Sequence, residues 1–230
     1  MRLNIFMESK FSPFLNAYRR HYSCETTLLR LIEEWKAKLD NDINIGIVFN
    51  DLSKAFDLVD HNLLISKLHA YGLSLESINL MRSYLSNRSQ FVRLNNFISS
   101  TALMKVGVPQ GSVLGPILFN IFFNDIFYFV NHSYLTAYAD DSQIFSYDKN
   151  FEAITRNLSS SLSVLKHWFD SNFMQINPSK AKALAISRHS PENISIPFDN
   201  TTIDSEGEPV KLLGVWIDSK LNFQHHISKL

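Results

Sequence analysis

Residues 134–147 read YLTAYADDSQIFSY, and this stretch decides which fold the chain can build. Tyr134 to Ala139 form one strand candidate, Asp140-Asp141 a two-residue turn, and Ser142 to Tyr147 the returning strand. That pattern predicts a β-hairpin with an acidic tip. Working outward toward the N-terminus, Ile43 to Phe49 are rich in β-branched residues and predict a second strand, ending at Asn50-Asp51. Two strand ends therefore each deliver carboxylates. Adjacent acids repel, and a third nearby adds to the cost unless a cation compensates it. Magnesium suits such a set, because it prefers hard oxygen ligands and keeps sites open for substrate phosphates. Taken alone, an acidic turn is more often only a solvated turn.

The surrounding elements do not alternate strictly between strand and helix. Helices are predicted over 25–39, 60–70, 74–86 and 151–170, with breaks at turn residues such as Tyr71-Gly72. In the first, Leu28, Leu29, Leu31, Ile32 and Trp35 make the apolar stripe. In the last, Ile154, Leu158, Leu162, Leu165 and Trp168 do so. A hairpin is expected from Gln90–Leu94 and Thr101–Val106, and strands near 182–187, 194–197 and 210–217, before a short helical start at the C-terminal end. This arrangement predicts an α+β fold, with an antiparallel sheet faced by helices.

Residues 112–130 are apolar over about the length of a membrane span. Pro116, Asn120, Asn124 and Asp125 interrupt them, and Asn120 and Asn124 fall one helical turn apart, so a buried amphipathic helix is expected. Composition fits a packed core, with 45% hydrophobic and 13% aromatic residues, 18 of them Phe. Basic and acidic residues balance at 22 each, so no global basic footprint marks a nucleic-acid partner. The single cysteine, Cys24, excludes an intrachain disulfide and a multi-Cys zinc site, and reads as a small, partly buried residue. The adjacent His225-His226 pair has the wrong spacing for a helical metal site.

Two further stretches, DLSKAFD at 51–57 and GVPQGSVLGP at 107–116, complete the pattern with the YADD at 138–141. Their order and spacing resemble motifs A, B and C of the reverse transcriptases of non-LTR retrotransposons. The resemblance continues through SPFLNAYRRHYSCETTLL (12–29), NPSKAKALAIS (177–187) and VKLLGVWIDSKLNF (210–223), and so covers essentially the whole chain. It implies a polymerase palm with partial fingers and the start of a thumb. Residues 1–42 would be partial fingers and connecting helices, 43–205 the palm with a fingers insertion, and 206–230 the primer grip and start of the thumb.

The resemblance also implies roles. Asp51, Asp140 and Asp141 match the metal-binding carboxylates, for two Mg2+ ions or Mn2+ in their place. Phe56 matches the bulky gate that excludes a ribose 2′-hydroxyl; without Asp51 at that offset it would read as a core aromatic. Lys54 and Ala55 fall where the turn backbone faces the incoming triphosphate. Gln110 matches the residue that contacts the nucleotide sugar, and Gly111 permits close backbone approach. Ser112 reads as the N-cap of the next helix, and Asp57 as a structural cap for the helix near Asp60. Lys180 matches the lysine that protonates departing pyrophosphate, with a surface lysine as the competing reading. Leu212, Leu213, Gly214 and Val215 resemble the primer grip. Tyr138 precedes the acidic pair as in many polymerases, though a packing aromatic would look the same.

The implied partners are an RNA template, a DNA primer and deoxynucleoside triphosphates, with no membrane and no disulfide-linked partner. Two alternatives stay open: an RNA-dependent RNA polymerase, against which Phe56 argues, and a non-catalytic nucleic-acid-binding relic. The sequence departs from the family pattern in three ways. Asn50 replaces an apolar residue and is expected to disturb the strand end. The upstream fingers segment of the R-P-I-S-L-L kind is absent from 1–230, and Arg19 and Arg20 belong to a later block that does not replace it. Neither an endonuclease nor a Cys/His knuckle falls within the chain. A truncated copy of weak or absent activity is the expectation that follows.

Overall fold

Eight consecutive residues, Asn44–Asp51, form the strand on which the molecule is built (β1). The computed structural model describes residues 2–52, 54–176, 180–189, 191–205 and 207–230. Its helices are α1 (Arg2–Glu8), α2 (Cys24–Leu39), α3 (His61–Ala70), α4 (Leu75–Leu85), α5 (Gly115–Phe123), α6 (Phe151–Ser171) and α7 (Gln224–Ile227). Short strands β2 (Ser89–Gln90), β3 (Arg93–Leu94), β4 (Phe97–Ile98) and β5 (Ala102–Leu103) follow α4. The remaining strands are β6 (Tyr134–Tyr138), β7 (Asp141–Asp148), β8 (Lys182–Ile186), β9 (Ser195–Phe198), β10 (Thr201–Asp204), β11 (Val210–Leu212) and β12 (Val215–Ile217).

The central sheet runs β6-β7-β1-β8, antiparallel throughout. Alternation along β1 sorts its side chains between two cores. Val48, with Ile144, Ala183 and Ala185, packs into a core shared with α5 and α6. Ile45, Ile47 and Phe49 face the other way, against Leu31 and Trp35 of α2 and against Leu212 and Ile217 of the β11–β12 hairpin. Gly46 faces α6: a Cβ there would run into the Ile154 and Leu158 side chains, so the missing side chain sets how closely α6 lies on the sheet. The expected α+β architecture, with helices on an antiparallel sheet, is what forms.

Several expectations need correction. Leu29 is 59% exposed, and Leu39 completes the buried stripe of α2 in its place. The segment 90–106 is not one regular hairpin but two short ladders, β2–β5 and β3–β4. Strands β9 and β10 pair as a hairpin where only one strand was expected, and α1 carried no periodicity that singled it out. The region 210–217 divides into β11 and β12 around Leu213-Gly214, both with positive φ (46° and 92°).

The apolar helix α5 is not amphipathic, because its asparagine face is as buried as the rest. Asn120 Nδ2 donates to the Ala17 carbonyl at 2.7 Å. Asn124 accepts from the Ser12 amide at 2.7 Å and donates to the Lys10 carbonyl and the Tyr71 hydroxyl. The polar interruptions thus fasten residues 10–17 across the core. Among the described residues no helix is long and apolar enough to cross a membrane. The fastened segment also borders the sheet: Asn16 N–H donates to the Ala137 carbonyl, and Ala137 N–H to the Phe14 carbonyl, each at 2.9 Å. Arg30 of α2 reaches the same edge, donating to the Pro13 carbonyl and Thr136 Oγ1.

Candidate active site

The register of β1 on β7 decides what the acidic tips can do together. Asn50 is the Cα partner of Ser142, and Asp51 that of Asp141. Tyr138 pairs with Asp141, so the hairpin loop is Ala139-Asp140 and not the expected Asp140-Asp141. Ala139 supplies the positive φ of 57° that primed hairpin turns require. Asp141 is consequently the first residue of β7, and both Asp140 and Asp141 are exposed. The side chain of Asp51 lies outside the described residues, as do Ser53 and Asn177-Pro178-Ser179. Among the described residues no group of three or more His, Cys, Asp or Glu side chains gathers as a metal cluster. The backbones of residues 51, 140 and 141 fall at one end of the sheet, and carboxylates are hard-oxygen donors of the kind that suits magnesium or manganese.

Beyond β1 the chain turns sharply. Lys54 takes φ 51° and opens a 3-10 turn, Ala55–Asp57, its carbonyl accepting from the amides of Asp57 and Leu58. A second segment is laid against this turn: Val108 N–H donates to the Phe56 carbonyl at 2.9 Å and Gly107 N–H to the Val59 carbonyl at 2.8 Å. Gly107 has φ 89°, and a Cβ there would stand 2.9 Å from the Asp57 carbonyl oxygen. Only glycine permits both that conformation and that approach. Residues 107–111 and 54–57 thereby become two walls of one cleft, of about 490 Å³.

The sequence-predicted residues Lys54, Ala55, Phe56, Gln110 and Gly111 all line this cleft, with Asp140 at its edge. Phe56 is half-buried, stacked on Phe119 with centroids 4.3 Å apart, and met edge-on by Tyr18 at 6.0 Å. Its ring is therefore held by the core and also forms the cleft surface. Gln110 Nε2 donates to Asp57 Oδ1 at 2.8 Å. Asp57 thus links the two walls and does not cap a helix; the cap of α3 is Asp60, whose Oδ1 accepts from the Leu63 amide. Gly111 has φ 75° and open space where a Cβ would be, so the fold asks it for conformation and not for close packing. Ser112 precedes the Leu114 N-cap position of α5 but still accepts from the Gly115 amide, while donating to the Pro109 carbonyl.

Two tyrosines border the acids. Burial raises the Tyr18 phenol above its ordinary range, and the charge of Asp140 adds to the effect. Tyr138 is pushed up to about 12, first by its hydrogen bond with Cys24 and then by burial. Tyr138 is thus tied to the start of α2. A second cleft, of about 400 Å³, opens on the side of Asp141. Lys180 and Lys182 line it together with Leu212, Leu213 and Trp216 of the β11–β12 hairpin. Gly214 lies in the turn of that hairpin and Val215 opens β12, and neither lines the cleft. Tyr18, Lys182 and Trp216 were not singled out from the sequence. All three sit inside quoted stretches (12–29, 177–187 and 210–223), but Tyr18 is brought to the site by the long-range packing of residues 10–17.

Residues 1–217 match the family described as reverse transcriptase (RNA-dependent DNA polymerase). The RNA-directed DNA polymerase of transposon BS of Drosophila melanogaster is 29% identical over 91% of this chain. That of the mobile element jockey, also of Drosophila melanogaster, is 27% identical over 94%. The chain spans 24% of the length of each of these relatives. Among solved structures, telomerase of Candida tropicalis in complex with a fragment of telomeric RNA superposes with a TM-score of 0.61. The match covers 97% of this chain and 35% of that one, at 14% identity, and so speaks for the fold alone.

Proposed function

This chain belongs to the reverse transcriptase family, and from that premise we propose that its site performs template- and primer-dependent deoxynucleotidyl transfer onto a DNA primer, copying RNA. The observation that carries the reading is the pairing of Asp51 with Asp141 across β1 and β7, with Asp140 beside them on the cleft that Phe56 and Gln110 line. Asp51, Asp140 and Asp141 would hold two divalent ions, which would supply charge stabilisation for the transfer.

The remaining work falls to the chain's own groups. The backbone of Lys54 and Ala55 binds the triphosphate of the deoxynucleotide, and Gln110 orients its sugar. Phe56, fixed by Phe119, fills the space a 2′-hydroxyl would need. Gly111 keeps its side of the cleft clear. The β11–β12 hairpin, at Leu212 to Val215, grips the primer end and aligns its 3′-hydroxyl, so that positioning supplies much of the rate. Lys180, on the cleft it shares with Asp141, delivers the proton to departing pyrophosphate. In domain terms, 43–205 act as the palm with a fingers insertion, flanked by partial fingers and by the start of a thumb.

Primer extension on a primed RNA template tests this. Deoxynucleotides should be incorporated in preference to ribonucleotides, Asp141→Asn should abolish incorporation, and Phe56→Val should narrow the sugar preference. Ribonucleotide preference in the unaltered chain, or extension that survives Asp141→Asn, would overturn the reading.

A further inference from the structure

Strand β6 is the outer strand of the central sheet, and its free edge is only partly closed. Tyr138 pairs with Asp141 across the two-residue loop, so Tyr138, Thr136 and Tyr134 turn their backbone groups toward β7. Ala137 and Leu135 turn theirs outward. Ala137 is satisfied there: Leu15 bridges it in parallel, through the Phe14 carbonyl and the Asn16 amide. Two residues back along that ladder, Leu135 would meet the Ser12 carbonyl and the Phe14 amide. Both are drawn away. The Phe14 amide donates to Ser12 Oγ at 3.2 Å, and the Ser12 carbonyl accepts from Arg19 Nη1 at 2.6 Å and from the Leu15 amide. Leu135 is 4% exposed, yet neither its N–H nor its C=O has a partner among the described residues. A buried backbone donor and acceptor left unpaired on an edge strand is a template for another chain.

Leu135 opens on a groove of about 610 Å³ between residues 9–14 and 127–135. Phe14, Tyr128 and Tyr134 line it, the two tyrosines 71% and 47% exposed. Lys10 and His132 line it too, and among the described lining residues there is no Asp or Glu. Glu8, close by in sequence, is already held by Arg19 at 2.7 Å. A second hollow of about 590 Å³ shares His132 and Tyr134 and adds Lys38 and Lys149. The acid on its lining, Asp148, accepts from the Asn150 amide. The edge is thus flanked by rings and by lysines in excess of carboxylates.

A donor and an acceptor on one residue call for a ligand that carries both at the same spacing, and an extended peptide does so. Phosphate oxygens of a nucleic acid would satisfy the N–H but face the carbonyl beside it with like charge. A second copy of β6 fits poorly, because Ala137 is covered on one side of Leu135 and the strand ends at Tyr134 on the other. Rings beside the edge suit alternate apolar side chains, and the lysines suit carboxylates between them. We propose that the β6 edge at Leu135 is a docking site for an extended acidic segment of a partner protein, added to the sheet outside β6. The groove shares no lining residue with the cleft at Phe56, so a docked segment leaves that cleft open. The inference does not depend on the polymerase reading.

The test is amide hydrogen exchange by NMR on the isotope-labelled full chain, with and without short synthetic peptides in which Glu alternates with Val, Leu or Phe. At a peptide concentration about ten times Kd, exchange at the Leu135 amide should slow roughly tenfold, as occupancy of the groove requires. The Ala137 amide, already bonded to the Phe14 carbonyl, should change little and serves as the internal control. Peptides with Lys in place of Glu should bind more weakly. Lys10→Glu should weaken the Glu peptides roughly fivefold, about the weight of one exposed charge pair. Lys229→Glu, at an exposed residue outside the groove, should not. Leu135 exchange unmoved by millimolar Glu peptides overturns the proposal. So does Leu135 protection by oligouridylate in place of peptide, and so does protection on concentrating the chain alone, which would assign the edge to a second copy.

Discussion

Asn50→Leu should stabilise the protein. Asn50 lies on β1 beside Asp51 and is 4% exposed, and among the described residues neither its Nδ2 nor its Oδ1 has a hydrogen-bond partner. The strand is not disturbed there, contrary to expectation, because Asn50 keeps its register with Ser142. The penalty is in the side chain instead. An unsatisfied buried group costs about 1–3 kcal/mol, and an apolar group of the same shape removes that cost. Leucine has the branching and heavy-atom count of asparagine, so no cavity opens, although its methyls are bulkier than the atoms they replace. A net gain of about 2 kcal/mol follows from the lower part of that range. For a chain of this size that is a rise of roughly 4–8 °C in Tm. Thermal melts and urea titrations by circular dichroism would measure it, with an unchanged m-value expected. A variant that melts at or below the unaltered chain would refute the reasoning, and would show that the amide is engaged in solution.

Gly107→Ala should cost about 2–4 kcal/mol, because a positive φ and a backbone clash act together. Gly72→Ala, with the same φ of 89° but nothing within 4 Å, should cost only about 1–2 kcal/mol. Equal urea midpoints for the two variants would remove the close approach at Asp57 from the explanation. Alkaline stability should depend on Tyr71, whose phenol burial pushes up to about 12 from 10.0. The folded state favours the neutral phenol, so this contribution is complete below pH 10 and is lost as pH rises from 10 to 12. Lys67 acts oppositely: burial lowers its ammonium, so its penalty is relieved as pH rises toward 10.5. Tyr71→Phe should flatten the loss of stability between pH 10 and 12, and an unaltered slope in urea titrations across that window would contradict it.

The sheet and the two strand ends that carry its acids were legible because strand alternation is local and the hairpin turn is short. The turn was misplaced by one residue, since Ala139 is not a residue type that signals a positive φ. Phe56 reads either as gate or as core, and the ring both lines the cleft and stacks on Phe119, so core packing does not take it away from the cleft surface. The function of Asn120 and Asn124 was out of reach, because their partners lie more than a hundred residues away at Lys10, Ser12 and Ala17. The same distance hid Tyr18. Asp57 was assigned a cap by proximity along the chain, whereas its partner Gln110 is near only after folding.

The assignment of Asp51, Asp140 and Asp141 as metal carboxylates is tested most directly by titrating Mn2+ into the chain and following free ion by electron paramagnetic resonance. Asp51→Asn, Asp140→Asn and Asp141→Asn should each weaken binding by at least roughly tenfold, a loss that removing even an outer partner of a metal site can cause. Mn2+ affinity unchanged in all three folded variants would contradict the assignment.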